Sequence, residues 1–207
     1  MSFDDYAGLK QEVIAYSGRD DLSDRFDSFL ALTESAMYNN ADRPLRVKEM
    51  ESVAALVTVA GTNSVDLPAD FLESRSLTIE TGGRKIELPY ESPSTVNNDV
   101  SGYPCSFTIV GTAIVFDRTP DGVYDLSLTY YAKPVALSTT DSTNAILTNY
   151  PDIYFYGCLS RVFIFSTETE EAMAHRQMFL ESIRGAVKAD ERAIRKIPRA
   201  KVSGSTP

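Results

Sequence analysis

Residues 153–165 read Ile-Tyr-Phe-Tyr-Gly-Cys-Leu-Ser-Arg-Val-Phe-Ile-Phe. Wound as a helix, this segment is apolar on nearly every side and has no face to turn to water. A membrane would need a run of about 18 apolar residues, and Ser160 and Arg161 interrupt this one. The segment must therefore be a central helix covered by other parts of the same fold. Pro151 suits its first turn, with Thr148 or Asn149 as the expected cap.

Three stretches carry stripes that could supply the cover. From Phe3 to Tyr16, the residues Tyr6, Leu9, Val13 and Ile14 recur at helical spacing, and Gly18 suits a C-terminal cap. A second helix is expected from near Ser23, with a stripe of Leu22, Phe26, Phe29, Leu30, Thr33 and Met37. Asn39-Asn40 would end it in the left-handed conformation, and Pro44 marks a break. A last helix is expected from Thr167, with Glu170 completing a capping box. Its stripe is Met173, Leu180, Val187 and Ile194, with Ile183 and Ile197 on the adjacent row. Pro198 stops it after about 40 Å.

Between these helices the period changes to two. Ala55, Val57 and Val59 alternate with Leu56, Thr58 and Ala60. Leu77–Glu80 and Lys85–Leu88 flank Gly82-Gly83, a hairpin signal; Phe107–Val110 and Ala113–Phe116 flank Gly111-Thr112. Tyr124, Leu126, Leu128 and Tyr130 share one face of a further strand. The reading is α+β: an antiparallel β-domain at 52–137, of six or seven short strands, inserted into a helical bundle. The bundle is formed by an N-terminal helical pair at 1–51 and C-terminal helices at 138–198 that pack on it. Residues 199–207 hold one large apolar residue, Val202, and are expected to be a flexible basic tail.

The chain has 207 residues, of which 43% are apolar, so it can bury a core without disulfides or metal. Met1-Ser2-Phe3-Asp4-Asp5 carries no basic or apolar leader, so no secretory signal is expected. Two cysteines and one histidine exclude a disulfide framework and a four-ligand zinc site. The net charge is −9, but residues 184–207 carry 7 bases against 2 acids. An acidic body repels nucleic acid, whereas the basic end reads as a local interaction element.

No catalytic motif is present: no G-x-G-x-x-G, P-loop, G-x-S-x-G or H-E-x-x-H. Gly82-Gly83-Arg84-Lys85 reads as a hairpin turn, not a phosphate cradle. His175 reads as a solvated helix residue, Cys158 as a small buried hydrophobe, and Cys105 as a packed or half-exposed thiol. The paired acids Asp20-Asp21, Glu170-Glu171 and Asp190-Glu191 read as solvated helix acids, since proximity in sequence does not build a catalytic cleft. No catalytic residue, cofactor or metal site is expected. Arg184, Lys188, Arg192, Arg195 and Lys196 suit a helix C-terminus, but Arg199 and Lys201 lie beyond the stop. Arg195, Lys196, Arg199 and Lys201 are therefore the candidate partner-binding residues.

Several short motifs occur in a fixed order. They are Arg43-Pro44-Leu45-Arg46, Lys48-Glu49-Met50-Glu51, Leu67-Pro68-Ala69-Asp70-Phe71-Leu72, Gly102-Tyr103-Pro104 and Pro120-Asp121-Gly122. Tyr130-Tyr131-Ala132-Lys133-Pro134, Asn149-Tyr150-Pro151-Asp152 and Ala189-Asp190-Glu191-Arg192 follow. In this order the chain resembles the head-to-tail adaptor, or connector, proteins of tailed bacteriophages. The resemblance implies a non-enzymatic virion protein at the head–tail junction, assembled in the host cytoplasm. It implies a ring, commonly dodecameric, beneath the portal protein, with tail (nozzle or tail-tube) proteins below. Genomic DNA would pass through the channel without specific binding, and no membrane is involved. It also implies that the segment corresponding to Arg195–Pro207 reaches the portal. Two rivals stand beside it: another tail component, such as a tail-completion or tail-tube protein, and a carboxylate-dependent cell-wall hydrolase. Two close, buried carboxyls in a cleft would favour the hydrolase.

Overall fold

The computed structural model describes residues 3–94 and 100–195. The chain is α+β, with five α-helices and seven strands among the described residues, and every strand pair in its two sheets is antiparallel. It divides into two compact units, one formed by residues up to Glu49 and from Pro134 onward, the other by Met50–Lys133.

In the helical unit, α1 spans Tyr6–Ser17. Asp5 caps it by accepting from the Gly8 amide at 2.8 Å, and Gly18 ends it at φ 64°. A short 3-10 helix, Asp20–Arg25, leads into α2, Phe26–Tyr38. The expected stripe of Leu22, Phe26, Phe29, Leu30, Thr33 and Met37 is buried throughout. Asn39 does not take the expected left-handed conformation. Its φ is −112°, and its amide continues the helical pattern to the Ser35 carbonyl at 3.1 Å.

The central helix α4 spans Pro151–Phe165, and α1, α2 and α5 all pack on it. Neither Thr148 nor Asn149 caps it. Tyr150 holds the cap position without a side-chain bond, because residues 145–149 already form a helix of their own, α3. Asn144 caps α3, accepting from the Ile146 and Leu147 amides at 3.1 and 2.9 Å. The cover of α4 is complete from Ile153 to Phe163, except at the half-buried Phe155, Tyr156 and Arg161. It fails at the end, where Ile164 and Phe165 are about half exposed.

Gly157 sets how closely the helices approach. A Cβ there would lie 2.3 Å from Thr33 Cγ2 on α2 and 3.0 Å from Phe179 Cδ2 on α5. The next residue, Cys158, is fully buried, and burial pushes its thiol up to about 12. Glu34, one residue along from Thr33, is also buried but fully engaged. Its Oε1 accepts from the Leu137 amide at 3.0 Å and the Tyr154 hydroxyl at 3.2 Å. Asn144 Nδ2 donates to the Tyr154 oxygen and to the Val135 carbonyl, both at 2.9 Å. The segment after Pro134 is thus tied to α2 and α4 by a buried polar network, in which each group has a partner.

The last helix, α5, spans Thr169–Arg195. The capping box expected at Thr167 and Glu170 is absent, for a definite reason. Thr167 sits at φ 63° and closes α4 instead: its amide donates to Ile164 O at 3.1 Å, and the Glu168 amide to Phe163 O at 3.0 Å. That is a Schellman ending with threonine where glycine is usual. The buried stripe of α5 also differs from the expected one. It runs Ala172, His175, Phe179, Ile183, Ala186, Val187 and Asp190, so the expected Ile183 and Val187 are buried, whereas Leu180 is only half-buried and Met173 is 60% exposed. His175 is therefore not solvated. It is 4% exposed, its ring lies against Tyr156 and Phe163 of α4 and Tyr16 of α1, and neither ring nitrogen has a partner among the described residues. Asp190 is likewise buried, not solvated.

The β unit holds two sheets. One has the order β1-β7-β3-β4, built from Glu51–Val57, Asp125–Ala132, Phe71–Thr81 and Arg84–Leu88. The other is β2-β6-β5, from Ser64–Asp66, Ala113–Phe116 and Phe107–Val110. Gly82 and Gly83, at φ 55° and 75°, make the two-residue turn that fits hairpin twist. Leu126, Leu128 and Tyr130 on β7 join Leu77, Ile79, Leu88, Phe107, Ile114 and Phe116 in one cluster fed by both sheets. Two bulges kink β3 against β7, between Phe71 and Glu73 and between Ser74 and Ser76.

Four outcomes are expected in thermal melts. Gly157→Ala should lower Tm despite the better helix propensity of alanine, by about 2–6 °C, since overpacking costs roughly 1–3 kcal/mol. Adding Thr33→Ser, which removes Cγ2 but keeps the hydroxyl bonded to Phe29 O, should restore much of that loss. Thr167→Gly should raise Tm, because a β-branched residue at positive φ is strained. For His175, burial holds the imidazole below its ordinary value, with Glu171 pulling weakly the other way. The neutral ring is the folded form, so its contribution is present above about pH 6.5 and is lost as pH falls below that. His175→Phe should therefore lose less Tm than the parent between pH 7 and pH 5.

Candidate interaction site

Of the four cations expected to bind a partner, Lys196, Arg199 and Lys201 lie outside the described residues. Arg195 is the last residue of α5. Upstream, Lys188 and Arg192 are exposed on the same helix, and Arg184 pairs with Asp42 at 3.2 Å.

The sequence motifs occupy joints. In the helical unit, Arg43, Glu49, Tyr150, Asp190 and Glu191 come from segments far apart in sequence. Arg43 donates to Glu191, and the Tyr150 hydroxyl donates to Glu49 Oε2 at 3.3 Å. Burial raises the Tyr150 phenol, and the charges of Glu49 and Asp190 add to that, so it remains a donor at neutral pH. Asp190 is 7% exposed, and its Oδ1 has no partner among the described residues. Sequence reading treated Asp190 and Glu191 alike as solvated acids. The structure separates them, because only residue 190 continues the buried spacing of 172, 175, 179, 183 and 186.

In the β unit the motifs play the same part. The Asp70 carbonyl accepts from the Lys133 amide at 2.6 Å, and Asp70 Oδ1 accepts from the Tyr130 hydroxyl at 3.0 Å. Tyr103 meets Tyr124 edge-on at 5.2 Å, and the Tyr124 hydroxyl donates to Asp121 Oδ1 at 2.6 Å. The Pro120 carbonyl accepts from the Gly61 amide at 2.9 Å. These contacts fix turns and strand ends to neighbouring segments of the β unit.

Three further observations bear on chemistry. Cys105 is exposed and free, with its Sγ 3.5 Å from the Tyr103 carbonyl. Among the described residues, no group of three or more His, Cys, Asp or Glu side chains is placed to hold a metal ion. No helix among them is long and apolar enough to cross a membrane. Sequence reading passed over Arg161 and Arg176, which line a cavity of about 420 Å³. The available signal was that they are the only cations between residues 138 and 183, a stretch with 6 acids.

A family model described as SU10 adaptor protein matches residues 4–201. No curated protein matches the chain. The motif order and the family match agree, and the match spans nearly the whole sequence. The chain belongs to the SU10 adaptor protein family, whose members are structural components of the bacteriophage virion, not enzymes.

Proposed function

We propose that this protein is a head-to-tail adaptor that assembles as a ring, dodecameric in the arrangement the resemblance implies, beneath the portal. In this role it joins capsid to tail, contacts the portal above and tail proteins below, and encloses part of the channel through which DNA leaves. The observation that carries the reading is the adaptor-family match over residues 4–201. The joints described above support it, because they tie segments distant in sequence into ordered turns and helix ends, which suits a structural subunit. The net charge of −9 supports passage of DNA without binding, since a channel wall that held phosphates would slow exit.

Within this reading, Arg195, Lys196, Arg199 and Lys201 are the portal contact, and residues 199–207 act as a tether that orders on its partner. A segment with so little apolar area cannot offset about 1–2 kcal/mol of backbone entropy per residue alone. Repetition around a ring multiplies a weak ionic contact into a stable one. Electron microscopy of the purified protein, alone and mixed with portal, tests the ring directly. Deleting residues 199–207 is expected to leave the Tm of the isolated subunit nearly unchanged and to weaken co-sedimentation with portal strongly. Charge reversal at the four cations should weaken co-sedimentation in a salt-dependent way. Undiminished portal binding by the truncated chain would move the contact elsewhere.

A further inference from the structure

Arg161 on α4 and Arg176 on α5 line one cavity of about 420 Å³, closed on its third side by the end of α2 and the residues after it. Neither guanidinium has a hydrogen bond or an ion pair among the described residues. The one carboxylate on the wall, Asp42, is paired with Arg184 at 3.2 Å. Asn40 also lines the cavity. Its Oδ1 accepts from the Asp42 amide at 2.9 Å, which leaves the amide NH2 as a further donor. Burial chiefly, and the charge of Arg176 after it, hold the half-buried Arg161 below its ordinary value. Two like charges lining one hollow, with donors beside them and the one wall carboxylate already paired to Arg184, form a site suited to an anion.

We propose that this cavity binds a carboxylate carried on an acidic peptide segment of a protein partner. The size and lining favour a side chain. Ala36, Phe179 and Leu180 give the wall an apolar part for an aliphatic stem, and the arginines receive its charged end. A DNA duplex is disfavoured, because residues 138–183 carry 6 acids against these 2 bases and the chain as a whole is acidic. The inference rests on the cavity alone and does not depend on a ring or on the portal contact.

The test uses the full chain and a fluorescein-labelled peptide of alternating Glu and Ala, read by fluorescence anisotropy at low salt. The expected result is binding of this peptide, no binding of its Gln counterpart, and at least about a tenfold loss in Arg161→Gln and in Arg176→Gln. Arg176 is exposed, so its variant should fold even if the Arg161 variant does not. Removing one of two repelling charges should raise the Tm of free Arg176→Gln slightly, about 1 °C. Equal affinity of parent and variants would overturn the proposal. So would no binding of the Glu peptide, tighter binding of a DNA duplex through the same arginines, or binding of inorganic phosphate without the peptide. A lower Tm for Arg176→Gln would mean that the chain itself already holds this guanidinium, and would also count against the site.

Discussion

The closeness of three helices at Gly157 is the constraint on which the helical unit depends. An apolar central helix must be covered, yet cover by ordinary side chains would hold its neighbours apart. Glycine removes the side chain where α2 and α5 both approach, so Thr33 and Phe179 reach the α4 backbone. Dense packing follows from that contact, and with it the full burial of Ile153, Tyr154, Cys158, Leu159 and Val162. Glycine inside a helix costs about 1 kcal/mol relative to alanine, and here the approach of two helices offsets it.

Close packing also explains why the buried polar groups are arranged as they are. Glu34 is next to Thr33 on the same helix, so it is drawn into the interior with it. A buried carboxylate without partners would be strongly destabilising, and the Leu137 amide and Tyr154 hydroxyl prevent this. The network therefore selects where the returning chain must lie after Pro134. His175 and Asp190 show the contrasting case. Both lie on the buried stripe of α5 with polar atoms that lack partners among the described residues, which makes α5 the least satisfied of the helices covering α4.

What the sequence revealed depended on how local the governing interaction was. The Gly82-Gly83 and Gly111 turns, the α2 stripe and the apolar character of α4 were legible, because each is decided within a few residues. Thr167 was misread because its local pattern, Thr-x-x-Glu, is a genuine start signal; the helix before it needed an ending more. His175 and Asp190 were misread because a polar residue on a helix looks solvated until its neighbours are known. Their 15-residue separation matches the stripe, but polarity hid it. The sequence marked Arg161 and Arg176 only as the two cations of an acid-rich stretch; that they share a hollow was not legible, since they are on different helices and only the packing on α4 brings them together. The portal-contact cations could be read from sequence, but most of them lie beyond the described residues.

Charge gives the final step. A chain with a net charge of −9 has many acids available to neutralise its arginines, and several of the described ones are engaged: Arg19 with Asp21, Arg43 with Glu191, Arg75 with Glu51, Arg184 with Asp42. Arg19, Arg43 and their partners sit near helix ends and Arg75 bridges β3 to β1, all partly exposed places where an ion pair fixes geometry more than it stabilises. Arg161 and Arg176 depart from this pattern on the unit that carries the Gly157 crossing. If random placement governed, an acid-rich surface would supply them with partners first. What sets these two apart is that they line one hollow whose wall acid, Asp42, is already paired with Arg184, which leaves the hollow suited to a counter-charge from another molecule. In a protein whose family role is to join other proteins, a cation pair set on two packed helices makes such joining specific, because the fixed spacing of the helices limits which acidic segment can reach both guanidiniums.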